Sequence, residues 1–228
     1  MSWEELLEQA AVVYRDYQSD LGLEDDVKEH LESFLLPHFN DFLCILPVSC
    51  LDNSFIADAT LQTLNVTPIN YKGGKIVLSS LADPYLKLIS FKHSEWKTKL
   101  FFDDLADEND PARKLQDSKW TSGKISRPFI CIEHDGADKC LCFWGYNKND
   151  IDDIEDFSYI KRIDDKNDFL NLENYLLTAY IYYCLYFLFN TQRETELSQV
   201  MLMQMQQLLA TYNITPNLPI SFNNEKKK

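Results

Sequence analysis

The sequence predicts an α+β fold, with N-terminal helices, a central antiparallel β-sheet, and a long antiparallel helix pair followed by an extended C-terminal tail. Three observations predict it. Apolar residues recur at helical spacing near the N-terminus. The middle, from "GGKIVLSS" to "FSYIKRI", is rich in β-branched and aromatic residues with partial alternation. Two long apolar, periodic runs then close the chain from about Asp168. The expected regions are 1–65, helical; 66–165, β-rich; 166–213, a helical hairpin packed on the rest as one domain; and 214–228, an extended arm.

Ser2 followed by Glu5 is a capping box, and it opens a helix whose stripe is Trp3, Leu6, Leu7, Ala10, Tyr14 and Tyr17. A second helix begins near Leu23, where Glu24, Asp25 and Asp26 suit the positive end of the helix dipole. Its stripe is Val27, Leu31, Phe34 and Leu35. Pro37 ends or kinks it, and "HFNDFLCIL" adds another turn or two before Pro47. "NSFIADATLQTLN" reads as a short helix capped by Asn53 or Ser54.

"GGKIVLSS" is a turn feeding a strand, and "PYLKLISFKHSEWKTKLFF" continues as strand. In it Trp96, Thr98 and Leu100 face one side, with Lys97 and Lys99 on the other. "DENDPARKLQDSKW" is a loop with a short helix. The clearest hairpin is "RPFICIEH", the turn "DGAD" and "KCLCFWGY", and "FSYIKRI" is a further strand. The closing helices run from about Asp168 to Phe189, and from a capping box at Thr191 to Glu194 through Leu197, Met201, Met205, Leu208 and Tyr212.

Charge narrows the function classes. The 36 acidic residues outnumber 22 basic ones, for a net charge of −14, which argues against a generic nucleic-acid binder. Sign varies locally: Lys72, Lys75, Lys87, Lys92, Lys97 and Lys99 precede Arg113, Lys114, Lys119, Lys124 and Arg127, while "DDLADEND" and "NDIDDIED" are acidic. The opening "MSWEELLEQA" carries Glu where a secretory leader needs Lys or Arg, so no such leader is expected. Six cysteines without small-scaffold spacing fit reduced thiols.

The uncharged run "YLLTAYIYYCLYFLF" rises ~22 Å as a helix, short of the ~30 Å hydrocarbon core of a bilayer. Its five tyrosines also need hydrogen-bond partners, so a membrane anchor is not expected. Being apolar on every face, it fits either a central core helix or one covered partly by a neighbouring subunit.

No enzyme motif stands out. "GGK" at Gly73 lacks the upstream glycine and following Ser or Thr of a phosphate-cradling loop, and "NDIDDIEDFSYI" lacks the central glycine of a calcium loop. His30, His38, His93 and His134 have no Ser or Cys partner in a local motif. Across the hairpin, Cys131 lies near Cys142 on the face of Cys140, while His134 points to the other face. Tetrahedral zinc needs convergent ligands, so a cross-strand thiol pair is expected instead. No catalytic residue, cofactor or metal is expected.

Gly74, Asp83, the "L-x-L-x-x-F" run Leu86, Leu88 and Phe91, Trp96, the "LQ" of Leu115 and Gln116, and the "RP" of Arg127 and Pro128 occur in order before the closing helix pair. This arrangement, over roughly Pro68 to Tyr212, resembles structural proteins of tailed bacteriophages, particularly crAss-like and other Bacteroides phages. The resemblance is to head-to-tail connector or neck-ring components of short-tailed phages. It implies a virion structural protein docking below the portal and forming part of the DNA conduit. The implied partners are further copies in a cyclic ring matching the portal in copy number, the portal protein, and other neck or tail proteins. DNA would pass without specific binding, with no membrane anchor. The implied location is the virion neck or tail, and the host cytoplasm during assembly. The alternative from composition is an acidic cytosolic binding module, such as an immunity or adaptor protein that neutralises a basic partner.

Two interfaces are expected from the residues. The tail offers Ile214, Leu218, Ile220 and Phe222 as anchors on a neighbouring chain, with Pro216 and Pro219 limiting its freedom. Asp103, Asp104, Asp107, Glu108 and Asp110, or the "NDIDDIED" loop, are expected to meet the Lys87 to Lys99 strands, including Lys97, of the next subunit.

Overall fold

Ser2 and Glu5 form the expected capping box: the Ser2 hydroxyl accepts from the Glu5 amide and the Glu5 carboxylate accepts from the Ser2 amide. The helix they open is α1 (Trp3–Tyr17). The computed structural model describes residues 2–18, 24–61, 64–146, 153–166 and 168–218. The fold is α+β, and the chain forms two compact units, 1–54 with 163–228, and 55–162. This corrects the expectation of three successive regions in one domain. The N-terminal helices and the C-terminal pair form one unit, and the β-rich segment is inserted between them.

The helical unit contains α1, α2 (Glu24–Ile45), α4 (Asn174–Thr191) and α5 (Thr195–Thr211), while the short α3 (Pro111–Leu115) belongs to the inserted unit. Helix α4 explains the discontinuity. It is buried on nearly every side, with α1, α2 and α5 packed around it. An all-apolar helix needs partners on several sides, and here sequence-distant helices supply them. Phe39 and Phe42 lie 5.3 Å from the Tyr180 ring, and Tyr14 stacks 5.4 Å from Phe189. The tyrosine hydroxyls are used: Tyr180 donates to the Leu35 carbonyl, and Tyr14 accepts from Gln192 at 2.8 Å.

Helix α2 runs through Pro37 instead of ending there. Leu31, Leu35, Phe39, Phe42 and Leu43 keep one apolar face continuous across the proline, so burial outweighs the lost backbone bond. Asn40, near its end, accepts from the Ile163 amide at 2.9 Å and donates to the Ile163 carbonyl at 2.8 Å. Two sequence-distant parts of the unit are thus clasped together. A 3-10 turn at Asp168–Asn171 precedes α4, which starts later than expected. The expected capping box at Thr191 does not form, because Thr191 is still in α4 and its hydroxyl donates to Phe187. Glu194 is the N-cap of α5 without a side-chain bond.

The β unit has two sheets where one was expected. The four-stranded sheet has the order β1-β9-β4-β5, from β1 (Ile56–Asp58), β9 (Ile154–Lys161), β4 (Tyr85–His93) and β5 (Leu100–Phe101). The five-stranded sheet has the order β2-β3-β8-β7-β6, from β2 (Val66–Ile69), β3 (Gly73–Val77), β8 (Asp138–Trp144), β7 (Phe129–Asp135) and β6 (Leu105–Asp107). All pairings are antiparallel except β6 with β7, which is parallel. Leu88, Phe91, Phe157 and Tyr159 from the first sheet share one core with Ile76, Ile130, Leu141 and Phe143 from the second.

Two further expectations are corrected. "NSFIADATLQTLN" yields a 3-10 turn, β1 and a second 3-10 turn at Ala59–Leu61. Asp52 and Asp58 accept from the amides of Ser54 and Thr60 at 2.8 and 2.9 Å, local bonds that compete with a helix. Trp96, Thr98 and Leu100 do not continue one strand. Strand β4 ends at His93, and the chain turns so that buried Trp96 donates its indole N–H to the Gly145 carbonyl at 3.1 Å.

Candidate functional site: a cationic cavity in the β unit

Gly73, Trp144 and Phe129 are in register across β3, β8 and β7. The β2–β3 turn, the segment before β7 and the residues after β8 therefore meet at one end of the sheet. A cavity of ≈ 690 Å³ lies there, lined by Tyr71, Lys72, Lys97, Lys119, Lys124 and Tyr146 among others. A second, of ≈ 380 Å³, shares Ser122, Gly123 and Lys124 with it and adds Leu115, Trp120 and Arg127. No carboxylate lines either cavity among the described residues.

The walls are fixed by packing and hydrogen bonds. The paired glycines of "GGK" have a steric reason: a Cβ on Gly73 would lie 2.5 Å from the Trp144 indole, and one on Gly74 would lie 2.3 Å from the Phe143 ring. Gly145, at φ 117°, passes so close to Lys124 that a Cβ would lie 2.8 Å from its carbonyl. Tyr146 donates its hydroxyl to the Gly73 carbonyl at 2.9 Å. Buried Gln116 donates to Ala112 at 3.0 Å and accepts from the Gly123 amide at 2.6 Å, which staples the loop after α3. Thr121 adds a bond to the Leu115 carbonyl at 2.5 Å.

The cations on these walls are exposed, and Lys97, Lys119, Lys124 and Arg127 form no ion pair among the described residues. Arg113 differs: it bonds Glu133 and Asp117 and lies 4.9 Å over the Trp144 ring. The cavity is therefore a place to hold an anion, with aromatic surface beside it. Trp120 is 84 % exposed, the most exposed large apolar side chain among the described residues.

The other residues considered for chemistry are held by their neighbours. His30 and His38 contact Phe34, and His38 stacks on Phe187 at 4.4 Å. His93 is buried against Tyr146 at 5.2 Å, and His134 contacts Glu108 at 3.2 Å. Cys131 is directly opposite Cys142, with Cys140 and Trp144 on the same face. A bond to Cys142, followed by burial and nearby Glu133, pushes the Cys131 thiol far up; burial chiefly raises Cys140. Such thiols remain protonated and are poor nucleophiles. No group of three or more His, Cys, Asp or Glu residues gathers as a metal-ligand set among the described residues.

The expected interface residues are dispersed. Lys87 is buried with its ammonium 4.3 Å over the Phe102 ring, and Lys99 pairs with Asp156 at 2.8 Å. Lys92 likewise pairs with Glu155 at 2.6 Å. The attraction between the Lys87–Lys99 strands and the "NDIDDIED" segment is thus met within the chain at these two pairs. Only Lys97 of the expected cations lines the cavity. Asp103, Asp104 and Asp107 are exposed, Asp104 accepting from the Phe101 amide and Asp107 from the Asn109 amide. Ile214 is buried in its own chain, where the Asn217 amide donates to the Ile45 carbonyl at 2.8 Å, and Leu218 is half-buried. Ile220 and Phe222 lie outside the described residues.

Tyr71, Lys72, Lys119, Trp120, Lys124 and Arg127 were not singled out as a site by sequence. The signal was present: "SKWTSGKISRPF" carries three cations, a tryptophan and no acid within a strongly acidic chain. Comparison of the chain with protein-family models, with curated proteins and with solved structures returns no match.

Proposed function

We propose that this chain is a virion structural protein, a subunit of a phage neck ring that docks below the portal and surrounds the DNA path. The observation that carries the proposal is the role of the residues on which the phage resemblance rests. Gly74 admits the Phe143 ring, Leu88 and Phe91 fill the core, Trp96 ties down Gly145, and Gln116 staples the loop. These residues build a rigid frame and carry no reacting group. What the frame presents to solvent is charge and aromatic surface, the material of an interface.

A cyclic ring requires two different, complementary patches on each subunit. A cationic cavity and an acidic segment on one chain meet that requirement. The acidity of the whole suits a conduit, since like charge repels phosphate and disfavours a bound state. Native mass measurement on the purified protein, alone and with the portal, tests the proposal. A closed oligomer, or a stoichiometric complex with the portal, is expected. A monomer in both conditions overturns it and favours the acidic binding module.

A further inference from the structure

We propose that the cavity bounded by Lys72, Lys97, Lys119 and Lys124 receives an acidic, aromatic segment, residues 101–107, of a second copy of this chain. This deepens the neck-ring proposal and rests on it. The first support is electrostatic: cations line the cavity without a carboxylate among them in the described residues, in a chain of net charge −14.

The second support is backbone strain at the rim. Tyr71 and Lys72 both adopt left-handed conformations, with φ of 58° and 61°. The three-residue turn 70–72 thus holds two residues with side chains in a region that favours glycine or asparagine. The strain persists while a phenol ring and an ammonium group are displayed at the cavity mouth, and strain of this kind clusters at functional sites.

The occupant follows from its own chemistry. Phe101 and Phe102 are 52 % and 43 % exposed, and they run directly into exposed Asp103 and Asp104. Aromatic rings followed by carboxylates complement a cavity where lysines adjoin Tyr71 and Tyr146. Bonding between Phe101 and Asp104, and pairing of β6 with β7, already order this segment, so docking it has a small entropic cost. Cavity and segment are different patches of one chain, so contact with another copy is head to tail.

The test uses full-length protein and two variants confirmed as folded by circular dichroism. K97E/K119E/K124E reverses the cavity and keeps the segment, whereas F101K/D103K reverses the segment and keeps the cavity. Sedimentation velocity should show each variant self-associating more weakly than wild type, by a factor of about 1.4 to 5 for each exposed pair lost. Mixing the two leaves opposite charge at both kinds of junction, the second with its signs exchanged, so mixed oligomers that neither variant forms alone are expected. Wild-type rings that persist in both variants overturn this inference while leaving the ring proposal standing. A monomeric wild type, alone and with portal, overturns both. A single-stranded oligonucleotide whose binding is abolished in K97E/K119E/K124E, while self-association is unchanged, overturns the inference in favour of a nucleic-acid site.

Discussion

Replacing Gly74 with alanine tests whether "GGK" is a packing device or a ligand-binding loop. The added methyl would sit 2.3 Å from the Phe143 ring, well inside any contact distance. Phe143 is fully buried, with Phe91 at 5.1 Å, His93 and Tyr146 at 6.0 Å and Trp96 at 6.2 Å, so the ring cannot swing away cheaply. Overpacking of this kind costs about 1–3 kcal/mol, while the lower unfolded-state entropy of alanine returns about 0.4–1 kcal/mol. A net loss of about 1–2 kcal/mol remains. Urea denaturation followed by near-ultraviolet circular dichroism, which reports the aromatic cluster, measures it. Gly136→Ala is the contrast. It meets nothing within 4 Å but lies at φ 66°, so its loss is conformational, about 1–2 kcal/mol, and Gly136→Asn should recover part of it. If Gly74→Ala matched or exceeded wild-type stability, the placement of Phe143 over β3 would be wrong.

Asn40→Leu should destabilise the helical unit by about 1–3 kcal/mol in urea unfolding, because both polar groups of Ile163 lose their partner; no loss would mean that the clasp is incidental. Ser198→Ala should raise stability by about 0.5–1 kcal/mol, since its hydroxyl is buried without a partner among the described residues; a loss would reveal a bond to that hydroxyl. Burial chiefly raises the Cys140, Cys184 and Tyr180 pKa values, and the Cys142 bond with burial raises that of Cys131. The unfolded chain therefore releases protons first as pH rises past about 9, so the stability these groups contribute is complete below that pH and falls above it. Urea midpoints that stay level from pH 7 to 10 would contradict this. Alkylation at pH 8, read by mass spectrometry, should label half-buried Cys44 and Cys50 before the four buried thiols.

Legibility in the sequence followed the range of the forces involved. The α1 capping box, the β7–β8 hairpin and the shared face of Cys131, Cys140 and Cys142 depend on neighbours within a few residues, and each was readable. Of the two outcomes open at Pro37, an end or a kink, the helix does not end there, because the local penalty is outweighed by a stripe that packs on Tyr180, 145 residues from the Leu35 carbonyl. The split into two sheets was not readable, since pairing partners such as Ala57 and Tyr159 are far apart in sequence. The cationic cavity lay between these cases. Its cations were visible one by one, but only the register of Gly73, Trp144 and Phe129 brings the β2–β3 turn beside the loop before β7.

The same facts constrain where an assembly surface can lie. Of the two readings open for the tyrosine-rich run, a core helix or one partly covered by a neighbouring subunit, the first fits α4, which α1, α2 and α5 surround and whose residues are mostly buried in the chain. A partner must use what remains outside. Among the described residues of the β unit the exposed large apolar side chains are Tyr71, Phe101, Phe102, Leu115 and Trp120, and each belongs to the cationic cavities or to the acidic segment. Copies of a chain at −14 repel one another at long range, but at physiological ionic strength that repulsion is screened beyond about 8 Å. Attraction between a cationic cavity and an acidic segment acts inside that distance. The arrangement therefore opposes indiscriminate association while favouring one oriented contact, the condition under which charge sets register and apolar surface supplies affinity.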